Sequence, residues 1–178
     1  MKNAWIFGLV LAVAGCSYPY EEDLSVLEAD TQSALTALQS LYEEGIEADY
    51  ADLERHATIA RTKIFDSIHE PYFRNEFEVL KYHYRQMSRW FELQSQAEWE
   101  SELSYGLEQI KALKHDAEHG LMDDEAIRIA LENEKIALIP LISEVNSSCA
   151  AMRELMAEHD SLDNHWQVMW DHWENPTL

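Results

Sequence analysis

Apolar residues recur every seven positions along the last third of the chain, between Asp123 and Glu174. This spacing places them on one face of a helix. A second apolar row runs beside the first and is broken at Glu134 and Ser148. The first row is Leu131, Leu138, Val145, Met152, His159, Trp166 and Trp173, and the second is Ile127, Leu141, Leu155, Leu162 and Met169. As a single helix, this stretch would reach roughly 75 Å.

Three further amphipathic stretches precede it and predict an all-α protein. The chain has only 5 Gly and 4 Pro, which is too few for the frequent turns of a β-protein. We therefore predict an antiparallel bundle of about four helices, two short and then two long. The first three helices are expected at Asp23 to Glu44, Asp49 to His69, and Tyr72 to His119.

Glycines and prolines predict where these helices end. Gly45 and Gly120 are expected to stop the first and third helices. Pro71 is expected to end the second, with Asp49 as its N-cap. The two halves of helix three are out of register, so a bend or break is expected at Gln94 to Gln96. Pro140 is expected to kink the last helix.

The N-terminus shows the most specific motif in the chain. Lys2 is followed by a short apolar run and by Val13-Ala14-Gly15-Cys16. This pattern resembles the lipobox of bacterial lipoproteins. The resemblance implies a signal peptide at 1–15, a lipid on Cys16, and acyl chains that hold the protein on a membrane. Ala12-Val13-Ala14 also fits an ordinary cleavage site, and the apolar run is too short for the ~20 residues of a spanning helix.

The same resemblance implies a domain organisation and a location. A lipidated tether at 16–22 would precede a single domain at 23–174 and a tail at 175–178. In enterobacterial lipoproteins, an Asp after the lipidated Cys retains the protein in the inner membrane. Ser17 stands there instead, so we expect the outer membrane and its periplasmic face. The acidic run at Glu21 to Asp23 is a weak signal for export to the cell surface.

The formal net charge of −21 limits the possible partners. Nucleic acid and anionic lipid are both polyanions that repel such a chain, so neither is expected as a direct ligand. A basic protein partner or a halophilic source remains compatible with this charge. The membrane contact is therefore expected through the lipid on Cys16.

Ile129 and Ile136 form a second apolar stripe on the last helix. They lie about 200° around the helix from Leu131 and Leu138. Helices one and two are too short to cover the distal region from Trp99 to Ser143. A folded-back segment, a second copy of the chain or another protein is expected to cover the stripe. We predict a partner-binding surface there that includes Trp99, Ile129 and Ile136.

Counting helix directions from the lipid predicts which residues lie near the membrane. Each helix would reverse the direction of the one before it, which places the Gly120 turn at the end far from the membrane. The aromatic residues Trp166, Trp170 and Trp173 would then meet Tyr72 and Phe73 at the near end. They would either plug the base of the bundle or form a belt at the lipid headgroups.

Two histidine pairs are candidate metal ligands. His115 and His119 are four residues apart and share one helix face, as Zn²⁺ or Cu²⁺ ligands do. His159 occupies a core position, and equal counting from the Gly120 turn places it near His83. Alternatively, His115 and His119 are solvated side chains at a helix end. His159 is alternatively a hydrogen-bonded core histidine, which can also act as a pH switch.

No catalytic motif accompanies these residues. The sequence has no Gly-rich phosphate loop, Gly-x-Ser-x-Gly elbow, His-Glu-x-x-His or Cys-x-x-Cys-His motif. Cys149 is expected as a buried free thiol or in an intermolecular disulfide. We therefore predict no enzyme and no cofactor, but a lipid-anchored envelope protein that binds or scaffolds a partner or self-associates. The alternative is a periplasmic metal- or small-ligand-binding lipoprotein that uses its histidines.

Overall fold

The computed structural model describes Tyr18 and residues 20–64, 70–162, 166–168 and 170–171. Every secondary-structure element in these ranges is helical, which confirms the all-α prediction. None of the described helices combines the length and apolarity that a membrane crossing requires. The predicted signal peptide, Cys16, the N-terminal part of the tether and the tail lie outside the described residues. The helices are α1 (Glu21–Glu43), α2 (Ile46–Ile59), a π-helical turn (Ala60–Ile64), α3 (Glu70–Ala97), α4 (Trp99–Glu118) and α5 (Asp124–Ser161).

The turn between α1 and α2 is shorter than predicted. Gly45 adopts a left-handed backbone with φ 98° and ends α1, as expected. Its carbonyl then accepts the amide hydrogen of Ala48 at 2.9 Å, so α2 begins at once. Asp49, the predicted N-cap, therefore lies inside α2. Pro71 was expected to end the second helix, but it stands in the first turn of α3, where its missing N–H costs nothing.

The predicted long third helix is two helices. The backbone of Glu98 is left-handed, with φ 49°, and separates α3 from α4. A break was expected at Gln94 to Gln96, and the structure has it two residues later. Gly120 ends the second part with φ 63°, and the amide of Leu121 donates to the carbonyl of Asp116 at 2.9 Å. This pair of features is the Schellman motif that closes a helix.

α5 is the longest helix. Asp123 caps it, because its Oδ1 accepts a hydrogen bond from the amide of Ala126 at 2.8 Å. The helix continues through Pro140, which removes one backbone hydrogen bond from its interior. The kink at Pro140 stays a prediction. α5 ends at Ser161, well before Glu174, although residues 166–168 and 170–171 are also helical.

Ion pairs and one hydrogen bond, donated by the side-chain amide of Gln39, fix the direction of α1. Glu28 of α1 meets Lys114 of α4 at 3.0 Å, whereas Gln39, eleven residues later, meets Glu100 at 3.1 Å. α1 is therefore antiparallel to α4. Further contacts join Asp23 to Lys135 at 3.1 Å and Glu44 to Arg153 at 3.2 Å, so α1 is parallel to α5.

α2 continues in the direction of α1 instead of returning. The hydroxyl of Tyr50 lies 2.9 Å from that of Ser88 in α3. Further along α2, the ring of His56 stacks on Trp170 at 4.7 Å, beyond the end of α5. The chain thus runs up along α1 and α2, down along α3 and α4, and up again along α5. This path differs from the predicted one, in which each helix reversed direction.

The path explains how two short helices cover two long ones. α1 packs against α4 and along α5, where its ion pairs reach from Lys135 to Arg153, and α2 packs against α3. We call α1, α4 and the part of α5 that contacts them the lower half of the bundle, and α2, α3 and the rest of α5 the upper half. From the sequence, the region from Trp99 to Ser143 was expected to lack a cover from helices one and two. In the structure it lies in the lower half, where residues of both apolar rows are buried, including Ile127, Leu131 and Leu138.

Candidate functional site

The side of α5 that faces away from α1 and α4 is apolar and exposed. Ile129 is 49% exposed, Ile136 74% and Ile139 54%. In the whole segment from Ile136 to Met152, Glu144 is the only charged residue. We call this surface the outer face of α5. Its exposed apolar and small residues are Ile129, Ile136, Ile139, Pro140, Ser143 and Ser147, and the exposed Glu132, Asn133 and Glu144 lie beside them.

The outer face contains two of the three residues predicted for partner binding. No described helix covers Ile129 or Ile136. Trp99 differs, since it is fully buried and its ring lies 6.2 Å from that of Trp90. It stands directly after the break at Glu98, so it fills the core where α3 passes into α4. Trp99 therefore supports the fold and does not contribute to an exposed surface.

His83 and His159 meet in the upper half, as equal counting from the Gly120 turn predicted. Their Nδ1 atoms lie 3.4 Å apart, and His83 is fully buried. Glu158 Oε2 lies 3.6 Å from Nε2 of His83, which is an ion-pair distance but too long for a direct hydrogen bond. Burial lowers the pKa of His83, and the nearby carboxylate of Glu158 opposes that shift only in part. A neutral core histidine results.

The tryptophans near the end of α5 are packing residues. Trp166 is buried and stacks on His159, with ring centroids 5.9 Å apart. Trp170 is half-buried against His56. These contacts agree with a plug of aromatic rings. Trp173 and the side chains of Tyr72 and Phe73 lie outside the described part of the structure.

His115 and His119 lie together at the end of α4, with ring centroids 4.1 Å apart. Nδ1 of His119 lies 2.8 Å from the backbone carbonyl of His115, to which it donates. Both side chains are exposed to solvent. Among the described residues, no group of three or more His, Cys, Asp or Glu side chains is placed to hold a metal ion.

Cys149 is a buried free thiol. Burial raises its pKa, which keeps the sulfur protonated and unreactive. This geometry agrees with the first of the two interpretations made from the sequence. An intermolecular disulfide would require the sulfur at the surface.

A basic cleft between α2 and α3 was not predicted. It has a volume of about 340 Å³. Eight residues line it: Glu54, Ala57, Thr58, Arg61, Phe77, Lys81, Tyr84 and Arg85. The sequence held a signal for it, because Arg74, Lys81, Arg85 and Arg89 follow one another at helical spacing in a strongly acidic chain.

Comparisons with protein-family models, with curated proteins and with solved structures gave no match to this chain.

Proposed function

We propose that this chain is a lipid-anchored protein of the bacterial envelope whose helical domain binds a protein partner through the outer face of α5. The anchor rests on the lipobox at Val13 to Cys16. The binding activity rests on one observation: an exposed apolar helix face, with Glu144 as the only charge between Ile136 and Met152, in a chain of net charge −21. Exposed apolar patches of this kind mark sites of contact.

The position of Tyr18 supports a specific orientation on the membrane. Tyr18 packs against the core, and its phenol lies close to Lys114 and Glu118 at the end of α4. Two residues span at most about 7 Å, so a lipid on Cys16 would be attached close to this end. The Gly120 turn then faces the bilayer, and the upper half points away from it. This reverses the orientation that we predicted from the sequence.

Electrostatics favour a protein over a lipid as the occupant of the outer face. A face with few charges lowers the cost of removing charged groups from water at an interface. The acidic remainder of the surface repels anionic lipid and steers basic partners toward the molecule. The partner expected is therefore a protein with an apolar contact surface and a basic surround.

The alternative function, metal binding by histidines, lacks a specific observation in its favour. His83 and His159 provide two nitrogen atoms, and His115 and His119 provide another two at the opposite end of the bundle. Structural metal sites use four protein ligands, and catalytic zinc sites use three. We therefore propose protein binding alone.

The experiment replaces Ile129 and Ile136 together by Glu and measures crosslinking in intact cells. Loss of a specific crosslinked partner, with unchanged helix content by circular dichroism, is the expected result. Leu93→Glu with Val168→Glu is the matched control, because it adds the same charge at two exposed apolar positions elsewhere. A crosslinking pattern that survives the first pair, or that is lost equally in the control, refutes the proposal. A crosslinked product at twice the mass of the chain identifies self-association instead.

A further inference from the structure

At least six cations of the described residues lie within ion-pair distance of a carboxylate. Examples are Lys114 with Glu28, Lys135 with Asp23, and Arg153 with Glu44. This is the expected state in a chain with 34 acidic and only 13 basic residues. Like Arg89 and Lys111, two further cations of the described residues, Arg61 and Arg85, have no carboxylate within ion-pair distance. An unpaired cation is ordinary by itself, but these two line the same cleft.

We propose that the cleft between α2 and α3 binds a small, doubly charged anion of the phosphate monoester class through Arg61, Lys81 and Arg85. Arg61 comes from the π-helical turn, and the other two come from α3. Lys81 has a long contact of 3.5 Å to Glu78, one turn away on its own helix. Such a contact is exchangeable for a stronger ligand, because exposed pairs contribute little. π-Helical turns are rare and recur at functional sites.

The charge of the lining indicates the charge of the ligand. The lining itself, with three cations and the carboxylate of Glu54, carries a charge of about +2, and Glu78 stands outside the lining beside Lys81. A phosphate monoester carries about −1.5 to −2 at neutral pH and offers three acceptor oxygens. The planar guanidinium groups match those oxygens with two parallel hydrogen bonds each. A single carboxylate would leave at least one cation without a partner.

The walls of the cleft indicate the rest of the ligand. Ala57 and Phe77 are apolar, whereas Thr58 and Tyr84 add hydroxyl groups. A volume of about 340 Å³ is at the lower end of the range for small-molecule sites. The cleft therefore fits a phosphate group with a short organic part and not a polymer.

The position of the cleft distinguishes two possible sources of the phosphate group, which are the headgroups of the membrane and a free phosphate ester. His83 stands between the cleft residues Lys81 and Tyr84, and it contacts Glu158 near the end of α5. About 50 Å of helix lies between Glu158 and the start of α5 at Asp124. If the lower half is anchored as proposed, the headgroups of the same bilayer are out of reach. The ligand is then a free phosphate ester in the surrounding solution.

Lipidated protein in phosphatidylcholine nanodiscs is titrated with glycerol phosphate by calorimetry, in chloride buffer of constant ionic strength. We expect saturable binding that weakens about tenfold or more in Arg61→Gln and in Arg85→Gln, since a charge-assisted hydrogen bond contributes about 1.5–3 kcal/mol. Lys111→Gln is the matched control, because it removes an exposed charge from α4 and should bind as the wild type does. Both arginines are exposed, so these variants should fold, and circular dichroism verifies this.

Absence of binding to the wild type, or equal binding to all four proteins, overturns the proposal. Vesicles that contain phosphatidic acid are offered separately to the same nanodiscs. Binding to these vesicles without binding to glycerol phosphate overturns the free ester as the ligand. The mass of the mature N-terminus is measured independently. A missing lipid refutes the proposed anchor but not the anion site, so the two failures are distinguishable.

Discussion

Gly106 lies inside α4, where this helix passes closest to Leu138 of α5. A Cβ added at Gly106 would stand 3.0 Å from Cδ1 and 3.1 Å from Cγ of Leu138, and nearer still to Cδ2. These distances are shorter than ordinary van der Waals contact. Leu138 is buried in the core, so its side chain has little space into which it can rotate. Gly106→Ala should therefore push the two helices apart or force Leu138 into a poorer rotamer.

Two opposing effects determine the size of the change. Overpacking of a well-packed core costs about 1–3 kcal/mol. Replacing Gly by Ala inside a helix stabilises it by about 1 kcal/mol. The difference is a net loss of about 0–2 kcal/mol, and the tight contact at Cγ as well as at the methyl groups favours the upper part of that range. For a chain of this size, each kcal/mol lowers Tm by about 2–4 °C.

Thermal and urea unfolding followed by circular dichroism measure this loss. Ser101→Ala is the control, because Ser101 is exposed on the same helix and its replacement changes helix propensity without a new contact. The double variant Gly106→Ala with Leu138→Ala should be less destabilised than the sum of the single variants, by about 0.5–3 kcal/mol. A Gly106→Ala protein as stable as the wild type, or strict additivity in the double variant, would refute the argument.

Two further predictions concern the histidine pair and the orientation on the membrane. Because burial lowers the pKa of His83 in the folded protein, the unfolded chain takes up a proton first, and the free energy of unfolding should fall as the pH drops through about 6.5. His83→Phe should flatten that profile, and a flat wild-type profile between about pH 7 and 5 contradicts the assignment. A fluorophore on Leu121→Cys of the lipidated protein should be quenched by spin-labelled headgroups far more than one on Val168→Cys, since both positions are exposed but lie at opposite ends. Equal quenching at the two positions would show that the bundle does not stand on its Gly120 turn.

The sequence predicted the helical class and much of the core, because apolar periodicity depends only on which side of a helix is buried. It also placed His159 beside His83. Counting equal numbers of residues on both sides of the Gly120 turn succeeds for that pair. Only Glu98 separates α3 from α4, so the rise along the two helices is almost that of one helix.

The direction of α2 could not be predicted in the same way. A turn at Gly45 permits either a reversal or a continuation, since a left-handed glycine ends one helix without fixing the next. Contacts far apart in the sequence decide between them, such as Tyr50 with Ser88 and His56 with Trp170. The predicted path of the chain, with each helix reversing direction, was wrong for this reason.

The basic cleft was missed for a different reason. Arg61 and Arg85 are separated by the chain segment that joins α2 to α3, so no local pattern unites them. Only the packing of α2 against α3 brings them to one cleft. The spacing of Lys81, Arg85 and Arg89 was visible, but in isolation a row of this kind is usually a solvated helix face.

The breaks at Gly45 and Glu98 stand at one level of the bundle. Trp90, just before the second break, contacts both Tyr42 near the end of α1 and Trp99 at the start of α4, with ring centroids 6.1 and 6.2 Å apart. Among the described helices, α5 alone crosses this level without interruption. One face of α5 must therefore contact α1 and α4 below this level and α3 above it. The need to meet both sets of helices accounts for the seven-residue apolar row that continues past Pro140, and it makes α5 the structural link between the lower half of the bundle and the cleft in the upper half.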